Sequence, residues 1–172
     1  MARCFVAVKF GEGIGEKLGQ LQQKARSLGL DATFPKEFHA TLAFLGEIDE
    51  RKIEEAKRKL DSLQSLPVEI KATGVGFFPS EKFVKVFWAG VSGLEVLQRQ
   101  VAAALEHEGR FECHVTLSRV KTQRNLQSLK QLAKDYERKE FGTATVNEVI
   151  LFKSNLSPSG PSYEELFVKK LS

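Results

Sequence analysis

The chain is short of the residues that build disulfide frameworks, metal centres and membrane spans. Its two cysteines, Cys4 and Cys113, are too few for a disulfide framework and lack the paired spacing of a structural zinc site, so both read as reduced, buried thiols. No run comes near the roughly 18 apolar residues that a membrane span needs, and no low-complexity tract interrupts the sequence. The opening MARCFVAVKF meets charge too soon for a signal peptide, which points to the cytoplasm. Charge of one sign is scarce as well: 26 Lys and Arg stand against 22 Asp and Glu, leaving a net charge of +4, which permits an anionic partner without requiring one. Glycines at 11, 13 and 15 lack the GxGxxG spacing and the Walker lysine, so they read as a turn and not as a nucleotide cradle.

Histidine is rare too, with three in 172 residues, yet two of them sit in one repeated pattern. Phe38-His39-Ala40-Thr41-Leu42-Ala43-Phe44-Leu45 and Cys113-His114-Val115-Thr116-Leu117-Ser118 share His-x-Thr-Leu. Random ordering would produce about 0.1 His-x-Thr triplets, so two copies by accident is roughly a one-in-a-hundred event. In an extended strand alternate side chains share a face. His39 and Thr41 therefore emerge together, with Phe38, Ala40, Leu42 and Phe44 behind them, and strict alternation likewise groups His114, Thr116 and Ser118 against Cys113, Val115 and Leu117. Each strand seats its back in a core and presents an imidazole beside a hydroxyl.

The rest of the chain supplies a scaffold for these strands. Arg3 to Phe10 reads as a buried strand, and Ile14, Leu18, Leu21, Ala25 and Leu28 recur at helical spacing up to a Gly29 cap. The first histidine strand runs to Gly46, and Asp49 caps a helix with Ile53, Ala56, Leu60 and Leu63 inward, which Pro67 terminates. Val68 to Phe78, bent at Gly74 and Gly76, forms a hairpin with Phe83 to Val91. From Gly93 the plan restarts: a helix on Leu94, Leu97, Val101 and Leu105, the second histidine strand, and a helix through Leu126, Leu129, Leu132 and Tyr136. Strands over Thr143 to Ser154 and Tyr163 to Leu171 complete it. The expected fold is α+β, a single domain of two pseudo-symmetric lobes of antiparallel sheet with helices outside. The lobes correspond to residues 1–92 and 93–172, each carrying one His-x-Thr motif, with the active cleft between them.

Two imidazoles on opposite walls suit general acid and general base catalysis, because a His near its reference pKa of about 6.5 does either job at neutral pH. Hydroxyls beside them can donate to the non-bridging oxygens of a phosphate held between the walls. A metal site is the main chemical rival, since Cys113 adjoins His114. Adjacent strand residues point opposite ways, however, and the remaining His107 lies in a charged helix, so no metal or other cofactor is expected. A nucleophilic Cys fits less well, because Cys113 projects toward the core.

The paired motifs closely resemble the two signatures of the two-histidine phosphoesterase superfamily. Further stretches narrow the likeness: RCFVAV at the start, HATLAFLGE, Phe77-Phe78-Pro79, VFWAGV from Val86, HVTLSR, and the closing Ser154-Asn155-Leu156 with Gly160-Pro161-Ser162-Tyr163. Nearly end to end the chain looks like the RNA 2′,3′-cyclic phosphodiesterases, also called 2′-5′ RNA ligases. The resemblance implies metal-independent hydrolysis of an RNA 2′,3′-cyclic phosphate end to a 2′-phosphomonoester, with ATP-independent 2′-5′ joining of RNA ends as related chemistry. By the same resemblance His39 is the proton donor to the departing 3′ oxygen and His114 the proton acceptor from water, while Thr41 and Thr116 hold the phosphate; the pseudo-symmetry leaves the two histidine roles exchangeable. Arg119 matches the family's arginine after the second motif, yet strict alternation sends it away from His114. Lys121, Arg124 and Lys153 are candidates for a basic rim, and Phe78 and Tyr163 for stacking on a base, although 13 phenylalanines mean that most are core. The implied partner is RNA with a cyclic phosphate end, tRNA fragments among the candidates, bound by a monomer. The rival reading is an RNA-end binding module of the same fold with little turnover.

Overall fold

A computed structural model describes residues 1–109 and 111–172. The chain runs β1 (Ala2–Lys9), α1 (Ile14–Arg26), β2 (Ala32–Thr33), β3 (His39–Ile48), α2 (Glu50–Asp61), β4 (Val68–Pro79), β5 (Val84–Ser92) and α3 (Glu95–Leu105). It continues through β6 (His114–Val120), α4 (Leu126–Lys134), β7 (Glu140–Val146), β8 (Glu148–Asn155) and β9 (Ser162–Lys170). No helix among the described residues is long and apolar enough to cross a membrane.

The strands form two antiparallel sheets, one in the order β3-β1-β8-β9 and the other β2-β6-β5-β4-β7. Each sheet carries one histidine strand, so the α+β architecture of two helix-backed lobes holds. The lobes are the sheets, however, and each sheet takes strands from both halves of the sequence. β1, α1 and β3 form one strand-helix-strand unit and β5, α3 and β6 the equivalent one; β4 of the first half then joins the sheet of β5, while β8 and β9 of the second half return to the sheet of β1. The stretch read as one strand over residues 143–154 is therefore two: β7 pairs with β4, the chain switches sheets at Asn147, and β8 pairs with β1. The stretch reads TATVNEVILFKS, and the switch falls at its polar Asn147-Glu148.

The helices follow their apolar stripes. Ile14, Leu18, Leu21 and Ala25 are buried on α1, and Ile53, Ala56 and Leu60 on α2, whose first turn is capped by the Asp49 carboxylate accepting from the Lys52 amide at 2.9 Å. α1 ends at a Ser27 cap, two residues before Gly29 takes its positive φ, and α2 ends at Ser62, well before Pro67. α1 packs on β6 and β7, whereas α3 packs on β3 and α2. The main core lies between helices and sheets, and a second cluster of Phe5, Ala7, Ile150 and Phe152 covers the cleft face of the β1 sheet beneath Tyr163.

β3 and β6 come together at the centre of the molecule, and both are bulged at the same motif position. Across β3, Ala7 pairs with Thr41 and Val6 with Ala43, leaving Leu42 as an extra residue; across β6, Trp88 pairs with Thr116 and Phe87 with Ser118, leaving Leu117 extra. A bulge of one residue reverses the facing of everything beyond it. Leu42 and Ala43 are consequently both buried, as are Leu117 and Ser118, while Phe44 and Arg119 turn out of the core. This corrects the strict alternation read from the sequence, which placed Phe44 at the back and Ser118 beside His114. β3 also runs on through Gly46, where Leu45 forms a further bulge, to Ile48.

Candidate active site

The two histidine strands converge on one small cavity of about 60 Å³ lined by His39, Thr41, His114, Thr116, Arg119 and Tyr163, with Pro35 and Glu37 at its edge. Both motifs thus meet where the sequence places them, one from each sheet. Larger recesses flank this cavity on two sides. One of about 230 Å³ lies between residues 33–37 and the segment from Ser157 to Tyr163; the other, of about 310 Å³, is lined by Arg3, Phe5, Phe44, Ser154 and Leu156. Arg119 and Tyr163 border all three.

Aromatic platforms fix the imidazoles. His39 sits 5.1 Å from the Phe5 ring and 6.0 Å from Phe152, with Tyr163 edge-on at 4.9 Å. His114 lies edge-on to Phe78 at 5.0 Å, and Phe78 stacks on Trp88 at 5.0 Å. The His114 ring is fixed further by its Nδ1, 2.8 Å from the Glu112 carbonyl. A carbonyl only accepts, so Nδ1 carries the hydrogen and Nε2 of the neutral ring is left with a free lone pair.

Burial dominates the electrostatics. His39 is pushed down to about 4, first by desolvation and then by the positive charges of Arg119 and His114. His114 is lowered by desolvation too, but its backbone acceptor at Glu112 works the other way. Tyr163 is raised by burial and stays a neutral donor. The charged groups acting on His39 are cationic, so an anion entering the cavity would relieve them and favour imidazolium. Cys113, packed against the core on the other face of β6, is pushed up to about 12 by burial and remains a thiol.

The remaining candidate residues divide. Tyr163 is in the cleft, and Arg119 reaches it because the bulge at Leu117 turns it there. Phe78 packs behind His114 as a support and lines none of the three recesses. Lys153 is a correction: it alternates with Phe152 and Ser154, which face the cleft, and lies instead on the opposite face of β8, paired with Cys4 and acting on that thiol. Arg3 holds the position Lys153 was expected to fill, its guanidinium 4.9 Å over the exposed Phe44 ring. The alternation of Arg3 with Phe5 was a signal for it; nothing in the sequence marked Glu37 or Phe44. Among the described residues no cluster of three or more His, Cys, Asp or Glu could hold a metal ion.

Two sheets presenting matched His-x-Thr strands and Arg119 to one cavity are the arrangement of a phosphoesterase, and comparison with known proteins agrees. A family described as LigT like Phosphoesterase matches residues 8–88. The RNA 2′,3′-cyclic phosphodiesterase of Methanothermobacter thermautotrophicus is 34% identical, covering 98% of this chain and 98% of its own. That of Methanocaldococcus jannaschii is 31% identical over 94% of this chain and 96% of its own. A crystal structure from Thermus thermophilus superimposes with a TM-score of 0.80 at 26% identity, covering 98% of this chain and 97% of that one. Escherichia coli LigT complexed with 3′-AMP shares the fold, with a TM-score of 0.76 at 19% identity over 99% and 98% of the two chains. The chain belongs to the RNA 2′,3′-cyclic phosphodiesterase family of LigT-like phosphoesterases.

Proposed function

We propose that this protein hydrolyses RNA 2′,3′-cyclic phosphate ends to 2′-phosphomonoesters, without a metal, by proton transfer between His39 and His114. The observation that carries the reading is the convergence of two imidazoles, two threonines and Arg119 on one cavity. The cyclic phosphate supplies the anion that Arg119 favours, its non-bridging oxygens accepting from Thr41, Thr116 and Arg119. Water on the second-motif side gives its proton to Nε2 of His114, the nitrogen left bare by the bond to Glu112. Its oxygen attacks phosphorus in line with the 3′ oxygen, which departs with the proton of His39. The 2′ oxygen keeps the phosphate.

His39 can be the donor only if it is protonated; burial and then Arg119 and His114 oppose that in the free protein, and the negative charge of the bound phosphate works against them. When a 5′-hydroxyl end replaces water, the same transfers join two RNA ends 2′ to 5′, with no nucleotide consumed. The relatives are RNA enzymes by name. The partner here is accordingly an RNA with a cyclic phosphate end, tRNA fragments included, met by a monomer in the cytoplasm.

Release of nucleoside 2′-phosphate from a nucleoside 2′,3′-cyclic phosphate in EDTA tests the reading. Turnover is expected to survive chelation, and His39→Ala and His114→Ala are each expected to lower kcat by at least about 100-fold with the melting transition intact. Binding of cyclic phosphate without turnover would make the protein an RNA-end binding module instead. Loss of activity on chelation would overturn the metal-free mechanism.

A further inference from the structure

Each histidine strand is bulged at the leucine of its motif, and each bulge meets a buried glutamine from a helix in the other half of the chain. Gln22 of α1 is 9% exposed and donates from Nε2 to the Leu117 carbonyl at 3.0 Å and to the Pro35 carbonyl at 2.8 Å. Gln98 of α3 is 8% exposed and donates to the Leu42 carbonyl at 3.4 Å. The symmetry is crossed: the helix preceding the first motif braces the second, and the helix preceding the second braces the first. Leu42 and Leu117 are the extra residues of the two bulges.

We propose that Gln22 and Gln98 are positioning residues, holding the two bulges so that Arg119 and Phe44 face the cleft. The inference rests on the cyclic phosphodiesterase reading of that cleft. A bulge leaves the extra residue outside the strand ladder, and a buried carbonyl there needs another donor. Ser118, next in β6, does not serve, because its buried hydroxyl has no partner among the described residues. The amide of Gln22 does, and with its second hydrogen it ties down Pro35, on the rim of the same cavity. Without the bulge, alternation would turn the Arg119 guanidinium toward the core and Ser118 toward the phosphate. Gln22 is the stronger brace, since its two bonds are short while that of Gln98 is long.

A double-mutant cycle tests this with nucleoside 2′,3′-cyclic phosphate as substrate. Gln22→Met keeps the side-chain volume and removes the donor; kcat/KM is expected to fall at least about tenfold. In an Arg119→Ala background the same change is expected to cost less than about threefold, because the residue it positions is gone. Gln98→Met, acting on the other wall, is expected to cost less and to cost the same in both backgrounds. A merely structural glutamine would lower activity by equal factors with or without Arg119, and that result, or wild-type activity in Q22M, overturns the proposal. If Q22M does not fold, the cycle of Q98M with Phe44→Ala decides in the same way. Wild-type protein without turnover would sink the phosphodiesterase reading alone; the cycle is then read in the dissociation constant for inorganic phosphate, where the same non-additivity is expected.

Discussion

His39 governs how this site responds to pH. Held at about 4 by its aromatic platform and by Arg119, it is neutral in the free protein at pH 7, and His114 is lowered as well. His39 is lowered the further of the two, so on the acid side of 6.5 the free protein takes its first proton on His114, and the form with His39 protonated and His114 neutral is favoured only once an anion is bound. The bell of kcat/KM, which reads the free protein, is expected to centre between pH 4 and 6.5, whereas the kcat profile lies higher because bound phosphate favours the protonated form. Imidazole NMR provides the direct check: the His39 ring should titrate near 4 and move upward when inorganic phosphate is added. An unperturbed midpoint in free protein would remove the electrostatic argument. Folding stability carries the same signature. Above pH 6.5 the ring is neutral whether folded or unfolded; as pH falls from 6.5 toward 4 only the unfolded chain takes up the proton. Stability lost over that window amounts to about 3 kcal/mol from this group. The shared facing of each histidine with its threonine was legible in the sequence because both bulges fall one residue after the pair. The facings of Arg119, Phe44 and Ser118 were not, although the resemblance named Arg119, because one extra residue in a strand reverses every facing after it and leaves no mark in the composition.

At the scale of elements, the second histidine strand depends on its neighbours β5 and β4. Gly76 of β4 pairs with Trp88 of β5, and a Cβ at residue 76 would stand 2.2 Å from the Trp88 ring. The glycine lets the indole lie across the strand, where it stacks on Phe78, which in turn meets His114 edge-on. Gly76→Ala is expected to push this stack toward the histidine. The loss of stability should be about 1–3 kcal/mol by urea denaturation, as for overpacking elsewhere, with kcat falling further than KM rises. An alanine variant as stable and active as the parent would show that the platform does not position the ring. The periodicity of the helices and the hairpin at Pro79 were readable, since their apolar spacing is local. The two-residue β2, the bulges and the division of β7 from β8 depend on which partner each strand meets. Partner choice is set by packing at a distance, beyond what a run of residues encodes about itself.

For the molecule as a whole, pseudo-symmetry and interleaving act together. Two similar strand-helix-strand units supply the two walls, yet neither completes its own sheet: β1 needs β8 and β5 needs β4. The cleft-face cluster beneath His39 is divided in the same way, Phe5 and Ala7 coming from the first half of the chain and Ile150 and Phe152 from the second. A fragment of residues 1–79 would hold one complete His-x-Thr motif on a strand pair stripped of β8, with β4 deprived of both neighbours. Such a fragment buries too little apolar surface to offset the entropy of ordering its backbone. It is expected to show neither dispersed amide resonances nor a cooperative melt alone, and to gain both, with turnover, when mixed with residues 80–172. A cooperative transition in the isolated fragment would mean that residues 1–79 fold independently of the strands they pair with. Under the proposed mechanism His39 and His114 act together across the one cavity of about 60 Å³ that both walls line. Strands exchanged between the halves and the single residue Asn147 linking β7 of one sheet to β8 of the other make the two walls one folding unit, so that they cannot drift apart at that link without unpairing β7 from β4 or β8 from β1.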